Sequence, residues 1–111
     1  AIGCFVLVRA AGLGRSVWKV LGQHVPTGVD AAAVRTDLAG LPGVAGVHDL
    51  HLWTLTSGMD VATVHLVAAD DEDPHRLLHA ASGLLRERHQ LEHATVQIES
   101  CDRIGCAELR W

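Results

Sequence analysis

The sequence contains no tyrosine and one phenylalanine among its 111 residues, so it lacks the aromatic surface on which single-stranded nucleic acid stacks. It also lacks an excess of positive charge, since nine Lys and Arg stand against thirteen Asp and Glu, for a net charge of -4. The basic residues are scattered along the chain. These features exclude a phosphate-tracking surface, and we expect no nucleic-acid partner.

Cysteines and catalytic motifs are also scarce. The three cysteines, Cys4, Cys101 and Cys106, are an odd number, which favours reduced thiols in a cytosolic setting over a disulfide framework. No His-Glu-x-x-His run and no nucleophile elbow occurs. A zinc hydrolase would need only three ligands and a water, but we expect no enzymatic activity and assign no catalytic residue or cofactor-binding residue.

The longest apolar run at the N-terminus, Ala1–Val8, is too short to cross a bilayer, which takes about 20 residues of helix. Two interpretations stay open. The run begins an ordinary buried helix of this domain, or it forms the last turns of a membrane helix that starts outside this chain. Arg15 and Lys19 follow the run, as expected for a helix that leaves a membrane on its cytoplasmic side.

The positions of proline and glycine, which interrupt regular secondary structure, help to divide the chain into three parts. Residues 1–24 read as a helical lead-in, which breaks at Pro26 and Gly28. Residues 25–101 read as one domain, and residues 102–111 as a C-terminal tail. Within the domain, Asp30 is a good helix N-cap, and the following helix stops at Pro42-Gly43.

The remaining elements follow from periodicity. Residues 44–55 and 61–68 are β-rich runs joined by a turn centred on Ser57-Gly58, which predicts a hairpin. Asp73-Pro74 begins a second helix that ends near Arg88. Residues 93–100 alternate as a third strand. The order α-β-β-α-β predicts an α+β open-faced sandwich, with the helices on one side of a small sheet.

Histidine is abundant, with eight in the chain. If Thr56 faces Met59 in the hairpin, then Leu50 lies opposite His65 and Val67 opposite His48. His48 and His65 are then diagonal neighbours on one face, about 7–8 Å apart at Cα, where they could share one ion. Simple alternation sends His51 to the other face.

The third strand and the tail add candidate ligands. Glu99 and His93 lie at opposite ends of the polar face of the strand, and Cys101 and Cys106 follow it. Imidazole, carboxylate and thiolate together form a zinc-type ligand set. Each feature also has a plainer interpretation: His48 as a hydrogen-bonded structural histidine, His75 and His79 as a solvated helix face, and the spacing of the two tail cysteines as a weak signal.

The motifs as a set resemble the C-terminal cytoplasmic domain of cation diffusion facilitators, the zinc and divalent-cation efflux antiporters. The resemblance covers about residues 25–101 in unbroken order, and residues 1–22 resemble the end of the last transmembrane helix and its exit linker. It is carried by these stretches: Val25-Pro-Thr-Gly-Val-Asp30, Leu41-Pro-Gly-Val44, His48-Asp-Leu-His-Leu-Trp53, Ala62-Thr-Val-His65 and His93-Ala-Thr-Val-Gln-Ile-Glu99.

The resemblance implies a metallochaperone-like domain, a variant of the ferredoxin-like fold, that pairs with its twin as a V-shaped homodimer. His48, His65 and Glu99 stand at positions that ligate zinc in the family. His93, Cys101 and Cys106 match a second and more variable site. One bacterial pattern ends the strand with His-Gln-Asp, where this sequence has Glu99-Ser100-Cys101.

The implied function is that of a regulatory domain on the cytoplasmic side of the cell inner membrane. Zinc, or another divalent transition metal, is implied to draw the two domains together and favour the transport-competent state. The membrane part that would move ions is not in this chain. The alternative is a free-standing soluble carrier that hands metal ions to a partner.

Overall fold

The computed structural model describes residues 2–56 and 58–100. Its first element, α1 (Ile2–Leu21), matches the predicted helical lead-in. No residue of α1 is buried, and Phe5, Leu7 and Trp18 are each at least 65% exposed. Within the described residues, no helix combines the length and the apolar character needed to cross a membrane.

The second helix, α2 (Ala31–Ala39), begins where the sequence predicts. Asp30 lies in an extended conformation, and its Oδ1 accepts hydrogen bonds from the amides of Ala32 at 2.9 Å and Ala33 at 3.2 Å. These contacts satisfy two amides that the first helical turn leaves without a helical partner. The helix ends at Gly40, ahead of the Pro42-Gly43 stop.

The hairpin consists of β1 (Val44–Thr56) and β2 (Met59–Ala68). Thr56 pairs with Met59, as predicted, and Gly58 has a φ of 79°, which suits a tight turn. The register then shifts three times along β1, between Thr54 and Thr56, between His48 and His51, and between Val44 and Gly46. The single register predicted from the turn is therefore wrong beyond the first pair, because bulges insert extra residues into β1.

The crossover helix α3 (Pro74–His89) carries the chain back to β3 (His93–Ser100), which pairs with β2 in parallel. The strand order is β1-β2-β3, so β2 is central. The predicted α+β class and α-β-β-α-β order are confirmed. The parallel pairing puts the two C-terminal strand ends side by side, with Val67 opposite Glu99.

One face of the sheet packs against α2 and α3, and we call it the helical face. Alternate residues of β2 supply its core, with Ala62, Val64 and Leu66 fully buried. The helices contribute five buried side chains to the core: Val34, Leu38, Leu77, Ala81 and Leu85. The intervening residues of β2 lie on the opposite side, which we call the open face.

Candidate metal centre

Three side chains meet on the open face, one from each strand. His48 pairs directly with His65 across the hairpin, and their ring centroids are 5.2 Å apart at an interplanar angle of 78°. Glu99 comes from the end of β3, next to Val67. The prediction that His48 and His65 share a face is confirmed, but the predicted diagonal arrangement, with Leu50 opposite His65, is wrong.

The Glu99 carboxylate lies between the two imidazoles. His48 Nε2 is 2.9 Å from Glu99 Oε2, and His65 Nδ1 is 3.0 Å from Oε1. Gln97 Nε2 donates a hydrogen bond to Oε1 at 2.8 Å. A carboxylate only accepts, so in the hydrogen bond between His48 and Glu99 the proton is on His48 Nε2. These contacts compensate the burial of Glu99, which is 8% exposed.

The same three side chains have the geometry to hold one ion. One ligand atom from each of His48, His65 and Glu99 lies within 4.8 Å of the others. Two ligands at about 2.0–2.2 Å from one tetrahedral zinc ion are themselves about 3.4 Å apart, so small movements suffice. Two imidazoles and one carboxylate also match the ligand preferences of zinc, and leave a fourth tetrahedral position free.

Sequence reasoning missed the surroundings of this cluster. Between two paired positions, β1 advances by three residues, from His48 to His51, whereas β2 advances by only two, from His65 to Thr63. Asp49 is therefore an extra residue that forms a β-bulge in β1. Asp49 has a φ of 53°, in the left-handed region that aspartate tolerates. The bulge returns His51 to the open face, and its predicted position opposite to His48 is wrong.

Asp49 and His51 form a pair beside the cluster. His51 Nε2 donates to Asp49 Oδ1 at 2.8 Å, and Asp49 Oδ2 lies 3.6 Å from His65 Nε2. The hydrogen bond from His51 is the main cause that holds the pKa of Asp49 below its usual value, and the charges of His51, His65 and His48 add to it. Asp49 is therefore an ionised carboxylate at neutral pH.

The other predicted ligands do not join this cluster in the described structure. His93 begins β3 beside Val61, seven residues before Ser100, and is exposed. Six strand steps of about 3.3 Å separate it from Glu99. Cys101 and Cys106 lie outside the described residues. His75 and His79 are exposed on α3, as expected of a solvated helix face.

Comparison with known proteins agrees with this architecture. A family model described as the cytoplasmic domain of cation efflux proteins matches residues 26–101. The chain belongs to the cation efflux protein family. The family resemblance seen in the sequence is thereby confirmed, and residues 26–101 form the cytoplasmic domain of a cation efflux protein.

Named relatives of this cation efflux domain include bacterial and human proteins. The chain is 36% identical over 110 residues to the metal cation efflux system protein CzcD of Cupriavidus metallidurans, covering 96% of the chain and 35% of that protein. It is 39% identical over 85 residues to the proton-coupled zinc antiporter SLC30A2 of Homo sapiens, covering 77% of the chain and 23% of that protein. The chain thus spans about a third or less of the length of these relatives.

A solved structure supports the fold of the cation efflux domain. The metal-bound C-terminal domain of the CzcD transporter from Cupriavidus metallidurans matches with a TM-score of 0.60 and 36% sequence identity. The match covers 64% of this chain and 99% of that one. The relatives are named as transporters and efflux systems, and none of those described above is named as an enzyme.

Proposed function

We propose that this domain is the cytoplasmic regulatory domain of a zinc or divalent-cation efflux antiporter, and that it binds zinc through His48, His65 and Glu99. The observation that carries the proposal is the convergence of these ligand atoms within 4.8 Å on the open face. A ligand set drawn from all three strands fits a regulatory site, because binding couples the strands to one another. The metal-bound state of the CzcD domain supports it.

Zinc binding would act on the arrangement of two copies of the domain. Three protein ligands leave one tetrahedral position for a water or for a ligand from a second copy. An ion that binds the closed pair better than the open pair shifts the equilibrium by that difference in affinity. We propose a homodimer on this basis, with its membrane part in the inner membrane and this domain on the cytoplasmic side.

The lead-in helix supports attachment to a membrane part. We propose that residues 1–24 are the end of the last transmembrane helix and its exit linker, followed by the domain at 25–101 and a tail at 102–111. In α1, Ile2, Leu7 and Val8 are each at least 70% exposed. Contact of these apolar side chains with water is unfavourable, and a membrane or a helical partner would cover them. The free-standing carrier is the less favoured alternative, because the named relatives are transporters and efflux systems.

The second site stays a proposal that rests on the resemblance. It would use His93, Cys101 and Cys106, of which only His93 lies in the described part of the chain. A stoichiometry of two ions for each chain would support it. A reduction to one ion in a His93→Ala variant would assign His93 to that site.

The zinc stoichiometry of the reduced, metal-stripped domain tests the function. We expect at least one ion for each chain at micromolar buffered zinc, and the loss of at least one in a His48→Ala, His65→Ala double variant. The matched control is His75→Ala, His79→Ala, which removes two exposed histidines from α3 and should leave the stoichiometry unchanged. Equal zinc binding by both double variants would refute the proposed site.

Dimerisation needs a separate measurement. Sedimentation velocity of the same proteins, with and without zinc, should show a dimer whose sedimentation coefficient rises on zinc addition as the pair becomes more compact. The cluster variant should not show the rise. A monomer at all concentrations and zinc levels would contradict the homodimer.

A further inference from the structure

Asp49 occupies a position that the proposed zinc site leaves unexplained. It is the extra residue of the β1 bulge, and its side chain is 42% exposed, yet both of its oxygens face imidazoles. Oδ1 accepts from His51 Nε2 at 2.8 Å, and Oδ2 lies 3.6 Å from His65 Nε2. The left-handed backbone of Asp49 and its two histidine neighbours therefore call for an explanation.

His65 turns its two ring nitrogens towards two different carboxylates. Nδ1 lies 3.0 Å from Glu99 Oε1, and Nε2 lies 3.6 Å from Asp49 Oδ2. A neutral imidazole carries one proton, on either Nδ1 or Nε2. An ion can bind Nδ1 only when that nitrogen has no proton. The proton of the neutral ring is then on Nε2, and Asp49 is the acceptor facing it.

We propose that Asp49 is a positioning residue for the zinc site and that His51 anchors it. This inference rests on the proposed function. In the zinc-bound domain, Asp49 Oδ2 would move from 3.6 Å to hydrogen-bond distance of His65 Nε2. That hydrogen bond would select the tautomer that leaves Nδ1 free for the ion, and it would fix the orientation of the ring. Carboxylates in this position commonly contribute 10–100-fold to metal affinity.

The run His48-Asp49-Leu50-His51 then has one purpose for each polar residue. His48 is a ligand, Asp49 orients the other histidine ligand, and His51 holds Asp49. The bulge is necessary for this arrangement, because in a regular strand His51 would alternate to the helical face. With the extra residue, Leu50 packs against the core while His51 returns to the open face.

Zinc affinity in Asp49 variants tests the inference. Asn and Gly both tolerate a positive φ, so Asp49→Asn and Asp49→Gly preserve the bulge. We expect Asp49→Gly to bind zinc about 10–100-fold more weakly than the wild type, with the same stoichiometry and at most a small fall in the metal-free urea midpoint from the lost His51 hydrogen bond. Asp49→Asn should lose less, because its amide oxygen still accepts. Zinc affinity is read by competition with a chromophoric chelator.

A matched control removes one negative charge elsewhere on the same hairpin. Asp60 accepts from Thr54 Oγ1 at 2.8 Å near the turn, and Asp60→Asn should not reproduce the loss of affinity. Imidazole ¹⁵N NMR of the zinc-bound wild type adds a readout that a structural role would not move. We expect the proton of His65 on Nε2 and the ion on Nδ1.

Three results would overturn the inference. They are wild-type affinity in Asp49→Gly, a loss of affinity matched by a loss of metal-free stability, and a zinc-bound His65 that carries its proton on Nδ1. None of these results would contradict the zinc site itself, because the His48→Ala, His65→Ala variant tests that site separately. If the wild type binds no zinc, the proposed function fails first.

Discussion

The two faces of the sheet differ in chemistry although the same three strands form both. On β2, Leu66 is fully buried against the helices, whereas the neighbouring His65 points to the open face and has a side chain that is 30% exposed. The helical face is apolar and holds the domain together, whereas the open face carries the cluster of His48, His65 and Glu99, with His51 beside it. Because successive side chains of a strand point to opposite faces, the residues that stabilise the domain and the candidate metal ligands lie on different faces of the same sheet.

The largest expected effect is a loss of stability caused by a substitution on the helical face. Leu66→Ala removes a fully buried side chain and should lower the free energy of unfolding of the metal-free domain by about 2–5 kcal/mol. Urea denaturation measures it. The control is Val67→Ala, which truncates the half-buried neighbour on the open face and should cost clearly less. Equal costs would mean that the open face is as closely packed as the helical face.

Zinc should stabilise the domain from the open face alone. At a free zinc concentration 100 times the dissociation constant, we expect the free energy of unfolding to rise by about 2.7 kcal/mol. The increment should persist in Leu66→Ala and vanish in His48→Ala, His65→Ala. Urea denaturation with and without zinc measures both. If Leu66→Ala loses the increment while it is still folded, the two faces are not independent.

A smaller effect is expected at the start of α2, on the helical side. Asp30→Ala removes the acceptor for the Ala32 and Ala33 amides and should cost about 1 kcal/mol of stability, with zinc affinity unchanged. Asp30→Asn keeps an N-cap acceptor and serves as the control, with a cost near zero. A change of zinc affinity in Asp30→Ala would show that α2 acts on the site.

The smallest effect is the acid response of Asp49. Its pKa is lowered in the folded domain, chiefly by the His51 hydrogen bond, so ionisation favours folding above the unfolded pKa of about 3.9. That contribution is lost as pH falls through the lower, folded value. The metal-free wild type should therefore lose its stability advantage over Asp49→Asn below about pH 4. Urea midpoints from pH 6 downwards test this, and a constant difference would contradict it.

Much of the fold could be predicted because local signals determine it. Asp30 and Asp73 cap helices where expected, and the turn before Met59 joins the predicted strands. The class and the order of elements follow from these signals. The family resemblance added what local signals lack, namely that His48, His65 and Glu99 belong together.

The register of β1 could not be predicted, for a physical reason. A bulge residue with a positive φ is usually glycine, but here Asp49 adopts the positive φ itself. Nothing in the run His48-Asp-Leu-His51 distinguishes it from a regular strand. Two extra residues in β1, one between Thr54 and Thr56 and the other Asp49, therefore change the partner of His48 from Val67 to His65. The bulge at Asp49 also puts His51 on the same face as His48.

The parallel β2–β3 pairing has a consequence for synthesis of the domain. The histidine of β1 and the carboxylate of β3 that meet in the candidate centre are 51 residues apart in the chain. On the ribosome, the hairpin that carries both histidines emerges first, and the carboxylate follows only after α3 has been made. A nascent hairpin thus presents two adjacent imidazoles without Glu99 between them, and the complete three-residue centre assembles only when the third strand docks.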